Sequence, residues 1–382
     1  MSTVAILVTH LLGTGHLARA LTLARAFAAS GHRAVVLSGG RPVPHLDTRE
    51  IEMRQLPPLQ SDGVNFTRLL DGTGAVASAA YLQNRQERLC GSLADLAPDV
   101  LITELFPFGR RVLRAEFLAA LETAQHRPRA PLICASIRDI LAPPSKPAKA
   151  EATADIIRQH YDAVLVHSDR DVTPLDASWP VSPDLAARLC YTGFVAAPPA
   201  RPHPDGLGAG EVLVSAGGGN VGAEIFAAAL QAATADPTRP WRLLIGGGDS
   251  AAQIAALRQT APPNATVEAA RPEFRQMLHH AAASVSMAGY NTALDLLQTG
   301  TPAVLVPFDA GGEVEQRLRA EALTQLPGVA LLPSAALSGP ALLEHVRQAI
   351  SAPRRPARTD GLDGAAETVR CVTRLLEQRH AG

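Results

Sequence analysis

The feature that most narrows the fold of this 382-residue chain is a recurrence of short, wholly apolar runs between alanine-rich helical stretches. Five stand in the first half (VAILVTH, RAVVLS, DVLITE, PLICAS, DAVLVHS) and five in the second (EVLVSAG, WRLLIGG, ATVEA, ASVSMAG, PAVLVPF). Strands without polar alternation are buried on both faces, and the helices between them supply the crossovers that parallel strands need. Each series therefore predicts a doubly wound parallel α/β sheet. Between them, residues 196–210 are rich in Pro and Gly, lack periodicity and read as a linker. The expected organisation is a first domain over 1–195, a second over 211–360, and a C-terminal helix in 361–382. Val369, Val372, Leu375 and Leu376 of that helix form a stripe able to pack back towards the first domain. Ligands of such sheets bind at the carboxyl ends of the strands, here expected in a cleft between the domains.

Composition excludes several classes. The formal net charge is -1, and splitting the chain at residue 195 gives 20 Lys+Arg against 19 Asp+Glu before it and 15 against 17 after it. Neither half has the basic surplus of a nucleic-acid binder. No window approaches the roughly 20 apolar residues of a membrane span, and the first apolar run lacks the flanks of a signal peptide. Cys90, Cys134, Cys190 and Cys371 are far apart, which predicts reduced, buried thiols in a cytoplasmic protein. The segment PPSKPAKAE, with the only two lysines, Lys146 and Lys149, is expected to be a mobile loop.

Both halves open with a strand, a Gly-rich turn and a helix: Gly13-Thr14-Gly15-His16 in the first, Gly217-Gly218-Gly219-Asn220 in the second. Such turns bring backbone N–H groups to an anion at the positive end of a helix. Taken literally, GTGHLA and GGGNVG fit dinucleotide fingerprints, so a nicotinamide or flavin oxidoreductase is one reading. The acid that should bind ribose is missing at the next strand end, where Ser38 and Gly39 stand in one half and Asp249 comes late in the other; Arg41 leaves only a 2′-phosphate version open.

The segment MAGYNTALDLLQTGTPAVLVPF, residues 287–308, is the richest. A strand end and a small turn at Gly289 lead into a helix from about Asn291, so Gly289, Asn291 and Thr292 can hold a diphosphate. Asp295, one turn deeper, can accept two hydrogen bonds from vicinal hydroxyls of a ribose, or can simply be an acid that suits a helix's first turns. This segment resembles the nucleotide-sugar signature of GT-B glycosyltransferases of the family 28 group, which includes the N-acetylglucosaminyltransferase of peptidoglycan synthesis. Gly289, Thr292, Asp295, Gly300, Pro302, Pro307 and Phe308 stand in its places, with Asp where the family's acid is usually Glu. Glu315 and Gln316 match the polar pair that contacts the donor sugar, and His16 matches the probable general base on the N-terminal turn. More narrowly, LLGTGHLARAL, ELFPFGRR and SIRDIL resemble a subgroup of bacterial predicted glycosyltransferases.

The resemblance implies two Rossmann-like domains facing a cleft, with the acceptor mainly on the first and a nucleotide-diphosphate sugar, UDP-sugar favoured, on the second. It also implies inversion at the anomeric carbon, with His16 as base and no metal. A neutral imidazole with an ordinary pKa near 6.5 suits that task. Glu104, at the end of DVLITE, is the candidate partner that orients His16, with Asp139 as its rival. Either acid can instead form an ion pair with Arg110, Arg111 or Arg138. Gly13, Thr14, Gly15, Arg110 and Arg138 lie on the acceptor side. Arg110, Arg111 and Arg114, on an expected helix with Phe106, Phe108, Val112 and Phe117, suggest an anionic acceptor or peripheral contact with the inner face of a membrane, or a solvated helix face. Asp169 and Asp171 of DRD have metal-site spacing but no supporting acidic cluster, so no metal is expected, and His279 with His280 point to different sides of any helix. Arg271 can approach the nucleotide base, or RPEF can instead mark a helix start. The acceptor class, whether lipid-linked, saccharide or small metabolite, stays open. Alternatives on the same plan are a nucleotide-sugar hydrolase or epimerase, and a non-catalytic nucleotide-sugar sensor.

Overall fold

In the computed structural model, described for residues 1–381 apart from 12–13, 44–45, 62–67, 217–221, 247–249 and 309–313, the chain divides into two compact units. One comprises Met1–Ala197 with Gly361–Gly382, the other Pro198–Asp360.

The first unit holds strands β1 (Thr3–Val8), β2 (Arg33–Gly40), β3 (Glu52–Ser61), β4 (Leu69–Leu70), β5 (Val100–Glu104), β6 (Leu132–Arg138), β7 (Ala163–His167) and β8 (Leu189–Tyr191). They form one sheet in the order β4-β3-β2-β1-β5-β6-β7-β8, parallel throughout except for β4 against β3. Helices α1 (Gly15–Ala29), α2 (Ala79–Leu96), α3 (Arg114–Gln125), α4 (Pro147–His160) and the single turn α5 (Pro183–Ala186) connect them. Successive strand residues point to opposite faces, and both faces are dry. Ala5, Leu7, Leu37 and Leu101 pack with Leu89, Phe117 and Ile156 of α2, α3 and α4. Ile6, Val8, Val36 and Ile102 pack with Leu17, Leu21 and Phe27 of α1. Each such Leu, Ile or Phe contributes roughly 1.5–3 kcal/mol by leaving water.

The second unit holds β9 (Val212–Ser215), β10 (Trp241–Ile245), β11 (Ala265–Ala269), β12 (Ala283–Ser286), β13 (Ala303–Leu305) and β14 (Val329–Leu331), all parallel in the order β11-β10-β9-β12-β13-β14. Its helices are α6 (Ala223–Ala235), α7 (Ser250–Arg258), the single turn α8 (Phe274–Met277), α9 (Tyr290–Thr299), α10 (Glu315–Leu323) and α11 (Gly339–Ser351).

In both sheets the chain builds outward from its first strand, then returns to that strand's other side. The order thus reverses between β1 and β5 in one unit and between β9 and β12 in the other. A crevice outside the carboxyl ends of the strands opens at such a point, which is where doubly wound folds take their ligands.

The last helix, α12 (Gly364–Ala381), belongs to the first unit, where Val369, Val372 and Leu376 join the core beside α1. Here the sequence reading of the cysteines is corrected: Cys190 of β8 and Cys371 of α12 form a disulfide, leaving Cys90 and Cys134 as free thiols. The partners lie 181 residues apart, so no local spacing revealed a pair made by the return of the chain end. The segment expected to be a mobile loop is corrected too. Pro147 stands in the first turn of α4, after Lys146 at the N-cap position, because a proline that breaks a helix interior is well suited to a helix start.

Candidate functional site

At the first switch point β1 ends at Val8, and α1 begins at Gly15 after Thr14, which occupies the N-cap without a side-chain capping bond. His16 is therefore in the first turn of α1 and Arg19 follows one turn later on the same face. Glu104 closes the neighbouring strand β5 and is almost fully buried. These two elements bring His16 Nδ1 to 2.9 Å from Glu104 Oε1. Arg19 donates to both carboxylate oxygens, through Nη2 to Oε1 and through Nε to Oε2, and Ser136 Oγ donates to Oε2 at 2.7 Å.

Burial works to raise the Glu104 pKa, but the Arg19 charge and the hydrogen bond from His16 outweigh it and hold the carboxyl well below the usual range. An ionised carboxylate only accepts, so His16 Nδ1 carries the proton and donates it to Glu104. The 3.3 Å approach of Arg19 Nη2 to the same nitrogen is then a close contact rather than a second bond. Burial pushes the His16 pKa down to about 3; Glu104 opposes this, while Arg110 and Arg138 add to it. The ring is neutral at physiological pH, and Nε2 has no hydrogen-bond partner among the described residues. The side chain is 15% exposed, and Nε2 is the ring nitrogen that Glu104 leaves unused.

Arg110 follows a turn containing the cis Phe106–Pro107 peptide and adopts a left-handed conformation, φ 57°. It donates Nε to the Thr9 carbonyl at 2.6 Å, next to the end of β1. Burial lowers its pKa to about 10, with Arg138 and Arg19 adding to the effect and Glu104 opposing it. Arg138 ends β6 half-buried, and the buried Asp139 follows it. Of the two acids considered as partners for His16, Glu104 is the one that bonds its ring. The helix expected around Arg110 begins later, as a 3-10 turn at Arg111–Leu113 leading into α3. Phe106 and Phe117 stack on each other in the core, and Phe108 packs on Trp179. The aromatic side chains that would anchor this stretch in a lipid surface therefore face inward. Among the described residues no helix is long and apolar enough to cross a membrane.

At the second switch point β12 runs through Met287 and Ala288 into Gly289, the extended N-cap of α9. Asn291 is exposed and Thr292 half-buried in the first turn. Gly300 ends the helix at φ 64°, where a Cβ would stand 2.2 Å from the Arg355 carbonyl, so only glycine fits. Asp295 is held by Arg275, whose Nε donates to Oδ1 at 2.6 Å while Nη2 donates to Gln298 Oε1 at 2.7 Å and to the Pro198 carbonyl at 2.8 Å. Burial nonetheless raises the Asp295 pKa against that pairing.

Glu315 begins α10 buried, accepting from Arg319 Nη2 at 2.9 Å; Arg319 also donates to the Ala288 carbonyl at 2.8 Å and lies over the Tyr290 ring. Gln316 Oε1 accepts from the Phe308 amide at 3.2 Å. Arg271, just beyond β11, is paired with Glu268 through two 2.8 Å bonds. Gly13, Gly217, Gly218, Gly219 and Asn220 lie outside the described residues. The DRD segment follows β7 as a turn in which Asp169 Oδ1 accepts from the Asp171 amide at 2.9 Å, and His279 bonds the Ala200 carbonyl at 2.7 Å through Nε2.

The structure adds Arg19, Ser136, Arg275 and Arg319, which sequence reasoning passed over. Only Arg19 left a signal, its three-residue spacing from His16 on a helix.

Two doubly wound parallel sheets, each with its candidate site residues at the carboxyl edge of the switch point, define a protein of the GT-B class. Residues 213–367 match the model of the glycosyltransferase family 28 C-terminal domain, and this match with the fold neighbours supports a glycosyltransferase of the family 28 type. The calicheamicin glycosyltransferase CalG4 is 19% identical, with a TM-score of 0.62 over 100% of this chain and 98% of that one. MurG of Acinetobacter baumannii is 15% identical, with a TM-score of 0.61 over 97% and 100%. The glycosyltransferase VinC, solved in complex with dTDP, is 15% identical, with a TM-score of 0.61 over 98% and 100%. No curated protein matches in sequence.

Proposed function

We propose that this protein is an inverting glycosyltransferase that moves a sugar from a nucleotide-diphosphate donor, most naturally a UDP-sugar, to an acceptor hydroxyl without a metal. The observation that carries the reading is the His16–Glu104 pair, with Nδ1 committed to the carboxylate and Nε2 open at a switch point. In the reaction His16 Nε2 takes the acceptor's hydroxyl proton, the oxygen attacks the anomeric carbon, and the bond to the diphosphate breaks with its electron pair leaving on the nucleotide. Glu104 stabilises the imidazolium as it forms, which matters for a base whose own pKa is so depressed.

The second domain binds the donor. Gly289 at the start of α9 offers backbone N–H groups and the positive end of a helix to the diphosphate. Asp295, already oriented by Arg275, accepts from the ribose hydroxyls. Gln316, bonded to the Phe308 amide, and the buried Glu315–Arg319 pair are the groups set towards the sugar.

The test is diphosphate release from a panel of UDP-, GDP- and dTDP-sugars, with and without cell extract as acceptor source, for the parent and His16→Ala, repeated with EDTA. Release that needs extract, survives EDTA and is lost in the variant supports the reading. Release without extract would make the protein a hydrolase, and donor binding without turnover would make it a sensor.

A further inference from the structure

The dyad does not end at Glu104. His167, the last residue of β7, is completely buried, with Nε2 2.9 Å from Ser136 Oγ and Nδ1 2.8 Å from Thr192 Oγ1. Valence fixes the direction of the bonds at Ser136, and the neutrality of His167 fixes the last one. The Glu104 carboxylate can only accept, so the single proton of Ser136 points to Oε2. Ser136 Oγ must then accept from His167, so His167 carries its proton on Nε2. The bare Nδ1 in turn accepts from the Thr192 hydroxyl. The donors on β6, on β7 and just after β8 all point towards one carboxylate, and the line ends at His16 Nδ1.

Arg19 shares the same carboxylate: Nη2 donates to Oε1, the oxygen His16 also uses, and Nε stands 3.4 Å from Oε2. Ser136, held in turn by His167, is the closer donor to Oε2 at 2.7 Å and so ties down the oxygen His16 does not use.

We propose that Ser136 and His167 are positioning residues of the transfer reaction, which fix the Glu104 carboxylate so that His16 is held in its Nδ1-protonated form with Nε2 free. The proposal rests on the reading of His16 as the base. His167 is neutral, its pKa pushed down by burial to about 3, and its Nε2–H donates to Ser136.

The test uses the full chain labelled with 15N in histidine, with the His16 ring signals assigned by their loss in His16→Ala. In the parent, long-range 1H–15N spectra at pH 7 should show His16 protonated on Nδ1 alone. Ser136→Ala and His167→Leu should convert this to a mixture of both tautomers. His167→Gln, whose amide can still donate to Ser136, should restore the single form and shows that the chain still folds should His167→Leu not. In the extract-dependent assay Ser136→Ala should lower kcat about 10-fold to 100-fold, part of the roughly 10²–10⁴-fold a positioned base supplies, with the donor KM within about twofold. An unchanged tautomer and unchanged kcat in folded Ser136→Ala would overturn the proposal while leaving the base intact. Full transfer by His16→Ala would overturn the base assignment itself, and this proposal with it.

Discussion

The two switch points have the same topology and opposite content. In the first domain long side chains converge, and His16, Arg19, Glu104, Ser136 and His167 form one bonded group that leaves the second His16 nitrogen unused by Glu104. In the second the turn is made of small residues, and its acids, Asp295 and Glu315, are already matched by Arg275 and Arg319. A site that must move a proton needs a group held in one tautomer but left with an unused lone pair. A site that must hold a phosphate and a ribose needs backbone access and acids whose geometry is set beforehand. The proposed division of labour rests on this contrast between the two switch points.

The largest effect that would break this contrast is on turnover. His16→Ala should lower kcat about 10²–10⁴-fold with donor affinity unchanged, measured by steady-state kinetics beside calorimetric titration of the nucleotide. Stability comes next. Arg319→Met leaves the buried Glu315 without its guanidinium and should cost about 3–5 kcal/mol in denaturant unfolding. Arg19→Gln should cost clearly less, because the freed Glu104 charge raises the His16 pKa and the ring takes up the balancing proton, visible as a histidine titration moved upward. Equal losses in the two variants would remove the distinction between a convertible ion pair and a fixed one.

Acid should act on the first domain through its histidines. His16 and His167 both have folded pKa values near 3, below the ordinary 6.5, so between those pH values the unfolded chain binds more protons. Their contribution is complete above pH 6.5 and is lost as pH falls through the window. At about 1.4 kcal/mol per pH unit for each ring, on the order of 2 kcal/mol apiece is gone at pH 5. His167→Gln should flatten that slope in pH-dependent unfolding. The smallest effect concerns the second domain, where Asp295→Asn should weaken nucleotide binding about tenfold, roughly the net worth of hydrogen bonds to a charged group, while leaving the His16 tautomer untouched.

Much of the fold was legible because a parallel strand covered on both faces has no polar positions to hide it. The misses have the opposite character. Glu52–Ser61, strand β3, contains two prolines and alternates unevenly, as an outer strand does, and β8 and β14 are three residues each. The cysteine pair depends on which distant segment docks, which local pattern does not encode, whereas the start of α4 carried a local signal in Pro147. At the candidate site, strand ends and glycine turns mark Glu104, Gly289 and the loop before His16. The partners are another matter: a buried arginine on an otherwise amphipathic helix, such as Arg19, has the same local pattern as one that faces water. Ser136 and His167 look like interior strand residues until the register of three strands puts them in line.

The return of the chain end to the first domain makes the second domain an insertion within the first. Phe194 donates its amide to the Gly361 carbonyl at 2.7 Å and Val195 bridges to Asp363, so the points of departure and re-entry are neighbours. Removing residues 198–360 and rejoining the cut ends thus calls for only a short loop. Stopping the chain at residue 360, by contrast, would strip a helix from the core of the first domain.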